Sequence, residues 1–437
     1  MKWIISALVV FGVSCSLCAD DWPRWLGKNG DSIWRESGIV ESIPDDGLVI
    51  KWKTPIAGGY AGPAVVGDHV YVTDYVRKSG DSANDPSVRN ELQGSERVLC
   101  LDAKTGEEIW KHEYDCPYKI SYPAGPRATP TVDGDRVYTL GAHGHLYCLE
   151  RSSGEIVWKR HLEADFDAEA PIWGFCAHPL VDGDKLICVV EKDAVAVAFD
   201  KMTGRVIWKS LTASEPGYCP PSIIDAGGKR QLLIWDADKL NGLDPETGNS
   251  YWSVPLKAGY GMSIAQPRRV GDFLFASAIQ NVSALLKLDS TKPNAEVEWR
   301  STPKTSVHVA NSTPFIDNGT IYGADCQTGQ FLAVDLATGD RLWETFQLTT
   351  QGTRRASHGT AFVVKHQDRF FLFTETGDLV LTKLTREKFE ELGRFHVLEP
   401  TGECFGRAVV WSHPAFAQKC IFARNDKEIV CVSLAKD

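Results

Sequence analysis

Apolar residues in this chain come in short β-rich runs joined by Asp-Gly or Gly-Asp pairs, the pattern of strands connected by tight hairpin turns. Residues 63–72 around Gly67-Asp68, 130–138 around Asp133-Gly134-Asp135 and 179–187 around Asp182-Gly183-Asp184 are such units. Each is followed by a second hairpin carrying a nearly fixed phrase, Leu101-Asp102-Ala103-Lys104-Thr105-Gly106-Glu107-Glu108-Ile109-Trp110 in its first copy. The phrase returns at 149–158, 199–208, 243–252 and 334–343, always with four residues from acid to Gly and four more from Gly to Trp. The acid is placed to cap turn amides, and Gly supplies a positive φ that other residues resist.

Four antiparallel strands repeated every forty or so residues predict the blades of a β-propeller, with the closing Trp filling the gap to the next blade. Blades begin at Pro63, Pro130, Pro179, Pro221, Pro267, Pro314, Ala361 and Pro414, so the predicted fold is all-β, an eight-bladed propeller over residues 48–437. The fifth copy is degraded, running from Asp289 through Lys292-Pro293-Asn294 to Trp299 without the Gly. In the seventh, residues 385–394 read as a short helix before a last strand at 395–398. The eighth stops at 430–434 without an outer Trp strand, while 48–53 around Trp52 is a strand of that type with no blade of its own. Pairing the two ends completes one blade and closes the ring. Residues 20–47, with Trp22, Trp25 and Trp34, are expected to form a strap on the propeller, and the polar stretch 77–95 a mobile loop in blade one.

The first residues read as a secretion signal, with Lys2, an apolar run from Ile4 to Val13 and a small-residue exit at Cys18-Ala19; the expected signal peptide is 1–19, with lipid attachment at Cys15 as the competing processing route. No segment is apolar for long enough to span a bilayer. A net charge of -10 provides no diffuse basic field, which argues against nucleic acid as partner. Beyond residue 19 there is no Cys-x-x-Cys and no adjacent Cys pair, and several cysteines, such as Cys100 and Cys431, lie in apolar strands as small hydrophobes.

The phrases ending at Trp110, Trp158, Trp208, Trp252 and Trp343 resemble the repeat of pyrroloquinoline quinone (PQQ) type propellers. That resemblance covers nearly everything from residue 48 onward, and implies the eight-bladed fold shared by quinoprotein alcohol dehydrogenases and BamB-type outer-membrane assembly factors.

Propellers bind where their inter-blade loops converge on the axis, so the residues preceding each innermost strand define the candidate site. Two positions before the blade start every residue is small, from Ala61 to Ser412, which reads as crowding between neighbouring inner strands. Three positions before stand Tyr60, Arg127, Cys176, Tyr218, Ile264, Asn311, His358 and Trp411. His178 and His413 stand one position before, and Trp173, Tyr260, His308, Arg355 and Arg407 share the same loops. Arg beside aromatic and His residues suits a planar or carboxylate-bearing ligand, or side chains of a peptide. The alternative is that these groups only bond the loops to one another around a water-filled channel. PQQ use, which the resemblance also implies, demands stacking surfaces, carboxylate-binding groups, and a divalent ion with an Asp base, for which Asn311 and Asp325 are the candidates; the cover of adjacent cysteines typical of those enzymes has no counterpart here. His143-Gly144-His145 near Cys148 is the one candidate metal clamp, read instead as turn residues.

The expectation is therefore an exported, periplasmic or extracellular monomer, associated in one version with the outer membrane. It would act as a non-catalytic BamB-like scaffold presenting its axial face to a peptide or protein, with no cofactor. The alternative is an oxidoreductase that requires PQQ and calcium.

Overall fold

A computed structural model describes residues 20–350, 352 and 355–436, so the leader expected at 1–19 lies outside the described residues. Eight four-stranded antiparallel sheets follow one another around an axis, each with its inner strand first in sequence, and only the last departs from chain order. There the outer strand is Ile50–Pro55, which pairs with Glu428–Ser433 and sets Trp52 opposite Cys431. The ring closes without a covalent joint, as the spare Trp strand predicts.

A recurrent bulge converts the sequence repeat into blade-to-blade docking. In the outer strands the ladder slips just before the Trp, as between Ile50 and Trp52 or Ile156 and Trp158. The extra residue turns the indole out of its own sheet. The indole then rests on the Gly of the next blade: a Cβ on Gly154 would lie 2.5 Å from the Trp110 ring, and one on Gly204 2.7 Å from the Trp158 ring. The same indoles donate Nε1–H to carbonyls of that blade, from Trp52 to Ala103 at 2.9 Å, from Trp110 to Arg151 at 3.0 Å and from Trp158 to Lys201 at 2.9 Å. Trp252 instead donates within its own blade, to Gln231 Oε1 at 2.6 Å. The blade it faces is the fifth, whose turn lacks the Gly. Acid capping follows the repeat as well, Asp102 Oδ1 accepting from the amides of Lys104 and Thr105 at 2.8 and 2.9 Å.

Two local expectations are corrected. Residues 77–95 are not a loose loop: His69–Gly80 and Asn90–Asp102 continue their hairpin well beyond the blade, and Tyr118–Ile120 adds a further strand to it, leaving only 81–89 as the tip. The polar composition misled because only the far end of the first strand, residues 77–80, is exposed, while a few apolar residues, Leu92, Tyr118 and Ile120, are buried and anchor the extension. In blade seven the stretch read as helix is strand Phe389–His396, paired along Asp378–Leu384 after a tight turn in which Thr385 N donates to Lys388 O at 3.1 Å. Helix propensity in its charged run yields to edge pairing and to Phe389, whose ring meets Trp343 at 6.4 Å.

Residues 20–47 lie across the exit ends of the inner strands. Trp22 exchanges backbone hydrogen bonds with Val65 of blade one, Pro23 O accepts from Val132 of blade two, and Trp34 N donates to Lys365 O of blade seven. Between these points the buried Arg268 of blade five donates to Gly30 O at 3.1 Å and Ser32 Oγ at 2.9 Å, pinning the segment on the far side of the axis. Among the described residues no helix is long and apolar enough to cross a membrane.

Candidate functional site

All inner strands run the same way, so residues before a blade start stand at one mouth of the axis and residues after it sink toward the other. A cavity of about 780 Å³ occupies that axis. Its wall includes Tyr60, Arg127, Trp173, His178, Tyr218, Tyr260, Asn311, His358, Trp411 and His413, together with Cys176 and Ile264. Every member of the ring three positions before the blade starts therefore meets at one place. The remaining candidates stand apart: His308 is fully buried with Nδ1 3.6 Å from Asp325, Arg355 is exposed outside the cavity, and Arg407 lies behind the wall.

The floor comes from outside the repeat. Trp25 of the strap stacks on His178 with ring centres 4.6 Å apart and meets the edge of His413 at 6.0 Å. The Thr129 amide donates to His178 Nδ1 at 2.7 Å, so that nitrogen carries no proton and the ring is the neutral Nε2–H tautomer. Thr129 Oγ1 lies 3.0 Å from His413 Nε2. Burial pushes the His413 imidazole down to about 3, and burial followed by the neighbouring His413 holds His178 well below its ordinary value. The floor is thus uncharged.

At the mouth, charged groups act mainly as braces. Arg127, nearly buried, donates to the carbonyls of Ser121, Tyr122 and Gly125 while lying over the Tyr60 ring at 5.3 Å, and has no carboxylate partner among the described residues. Arg407 grips the buried Glu375 through two bonds of 2.8 and 3.1 Å, and Glu375 also accepts from Trp411 Nε1 at 3.3 Å. The reading in which loop groups bond to each other accounts for both arginines. It leaves the rings without a role.

Four wall residues found here hold an unusual backbone: Tyr122, Tyr260, His358 and Phe405 have φ of 49°, 55°, 57° and 49°. No other aromatic or His residue among the described positions has a left-handed φ. For bulky side chains that region costs roughly 1–3 kcal/mol each, and such strain gathers where structure serves function. Tyr260 is 71% and Phe405 52% exposed, although both face the cavity. Trp25, Tyr122, Ser87 and Phe405 were missed because they come from the strap and from loop tips, where the repeat gives no register; a Phe-Gly turn at 405–406 and the three strap tryptophans were the available signals.

Two hairpin tips meet over the mouth. Pro86 and Ser87 of the long blade-one hairpin and Phe405 of the small hairpin Gly402–Cys404/Arg407–Val409 all face the cavity, and Asn84 Nδ2 donates to Glu403 O at 2.6 Å between the two.

The donor set does not fit a calcium-bound quinone. Asp325, the candidate base, is 1% exposed, outside the wall, and accepts from the amides of Gln327 and Thr328, both at 3.1 Å. Asn311 Oδ1 accepts from Thr360, and the one carboxylate in the wall among the described residues is Glu215. No cluster of three His, Cys, Asp or Glu among the described residues is arranged to hold a metal. His143 is occupied by the Lys119 amide at 3.0 Å and by Glu163 at 3.2 Å, and the cysteines from Cys100 to Cys431 are free thiols.

An axial cavity in a ring of Trp-docked blades defines the class, a PQQ-repeat propeller. The profile of the family described as outer membrane protein assembly factor BamB matches residues 94–345, and the chain belongs to that family. Among solved structures it is similar to BamB from Moraxella catarrhalis, with 16% identity, 88% of this chain and 97% of that chain covered, and a TM-score of 0.57. It is also similar to the quinohemoprotein alcohol dehydrogenase from Comamonas testosteroni, at 13% identity over 95% of this chain and 81% of that one, with a TM-score of 0.60. At these identities the two likenesses speak for the fold. A search of curated proteins finds no match.

Proposed function

We propose that this chain is an exported, non-catalytic binding propeller of the BamB type, holding a polypeptide partner at its axial mouth in the periplasm, near the outer membrane, without a cofactor. The observation that carries the reading is the rim itself, where Tyr260 and Phe405 are 71% and 52% exposed beside a cavity whose other walls are braced. Exposed aromatic groups on a rigid frame gain contact area at little entropic cost when a partner covers them. The family's assembly role supports the envelope location and a protein partner.

The experiment is site-specific photocrosslinking in the source cell, with a benzophenone residue at Tyr260 or, as control, at Ile207 on the outer rim, which is 44% exposed. Adducts to a polypeptide should form from position 260 and be absent from 207. The same adducts from both positions, or none from 260, would remove the mouth as the site. A quinoprotein reading makes a separate demand, that PQQ with calcium raise the melting temperature by several degrees; no shift is expected.

A further inference from the structure

The aromatic residues of the cavity form two walls on opposite sides of the axis. One is a continuous set of ring contacts: Tyr122 to Trp411 at 6.0 Å, Trp411 to His358 at 6.4 Å and His358 to Phe405 at 4.9 Å. These belong to the loops before blades two, eight and seven, so the wall centres on the entry to blade eight. The other pairs Trp173 with Tyr218 at 5.5 Å and continues to Tyr260, in the loops before blades three, four and five, centred on the entry to blade four. In a ring of eight blades those entries are diametrically opposed.

Rings dominate the lining, in which Arg127 and Glu215 are the charged Arg and carboxylate groups among the described residues. Arg127 directs three of its five N–H donors to backbone carbonyls, and Arg407 holds Glu375. The floor of Trp25, His178 and His413 blocks passage along the axis.

From this geometry we infer that the cavity receives an aromatic ring, inserted from the mouth between the two walls. Either wall presents ring faces and edges to a flat guest, the contacts that aromatic pairs favour at centroid distances of 4.5–7 Å. A blind cup admits an inserted side chain or a small molecule and excludes a chain threaded through the ring. The inference rests on the mouth-binding reading and narrows it to a guest.

The test uses the full chain and fluorescence anisotropy of a fluorescein-labelled octapeptide of Gly and Ser with one central Trp. Matched peptides carry Ala or Glu at that position, and free N-acetyltryptophanamide serves as competitor. The Trp peptide should bind at least tenfold more tightly than either match. Competition by the free amide at the peptide's own affinity assigns the ring to a small molecule, and competition a hundredfold weaker assigns it to a polypeptide side chain; both support the aromatic guest. Phe405→Gly and Tyr260→Gly supply variants that relieve a left-handed φ, so melting temperature should hold or rise while affinity falls at least fivefold. Equal binding of the Trp, Ala and Glu peptides, undiminished affinity in both glycine variants, or no binding of the Trp peptide or the amide overturns the aromatic guest. Polypeptide adducts from position 260 alongside such a result would leave the mouth in use for another chemistry, whereas absence of adducts from 260 removes the mouth reading itself.

Discussion

The Trp25 indole lies nearly parallel to the His178 imidazole, with 15° between the planes and 4.6 Å between the centres, and so joins a segment outside the repeat to the floor of the axial cavity. A residue before the first blade thereby decides whether the propeller is a tube or a cup. Trp25→Ala should cost about 3–5 kcal/mol, as for an aromatic ring removed from a closed site. Urea denaturation followed by circular dichroism measures it, and a loss below about 1 kcal/mol would mean that the strap rests on the floor without sealing it.

Acid should destabilise the protein through its buried imidazoles. His413 is pushed down to about 3 by burial, and His145 to about 4 by burial together with His161 and His143. The unfolded chain binds these protons from pH 6.5 downward, while the folded chain refuses them. Their stabilising contribution is therefore complete above about pH 6.5 and declines as pH falls toward 4 for His145 and 3 for His413. His413→Gln, which cannot titrate, should lower stability at pH 7.5 yet flatten its fall between pH 6.5 and 4. Parallel pH profiles for wild type and variant, from chemical denaturation, would refute this account.

Ring closure gives a third expectation. Trp52 belongs to blade eight in space but docks on blade one, with its Nε1 on Ala103 O at 2.9 Å and its ring over Gly106. Removing residues 1–55 takes away a strand, an interblade Trp and the strap together, and exposes the edge of Glu428–Ser433. Aggregation or a large drop in melting temperature should follow, read by light scattering and calorimetry. A monomer with unchanged melting would show that the ring needs no such latch.

Residues fixed by the repeat were legible, and residues supplied by its exceptions were not. Spacing alone located Trp110, Trp158 and Trp208 and, by counting back from each blade start, collected the ring from Tyr60 to Trp411 that meets at one cavity. Side-chain direction in a blade follows from register, so an aligned position lands in an equivalent place. Trp25 and Phe405 have no equivalent in other blades, and their contacts with His178 and His358 arise from chain crossings that no period encodes. Arg127 shows a different failure: its position was readable, but its three carbonyl bonds, which make it a brace for the Tyr122 turn, depend on the local path of 121–125.

The repeat glycine offers the sharpest separation of backbone from packing effects. Gly134 and Gly154 both have left-handed φ, 56° and 74°, so Ala at either carries a similar conformational cost, about 1–2 kcal/mol. They differ in what a Cβ would meet: nothing within 4 Å at Gly134, and the Trp110 ring at 2.5 Å at Gly154. Real contacts that short do not persist, so the indole must shift away from the blade it docks on and strain its 3.0 Å bond to Arg151 O. Overpacking of this kind adds about 1–3 kcal/mol. Gly154→Ala should accordingly be the more destabilising by at least about 1 kcal/mol in chemical denaturation, and Trp110→Ala combined with it should remove most of that excess, because the group it strikes is gone. Equal losses for the two alanine variants would mean that the glycine serves its turn alone and that the Trp docks independently of it.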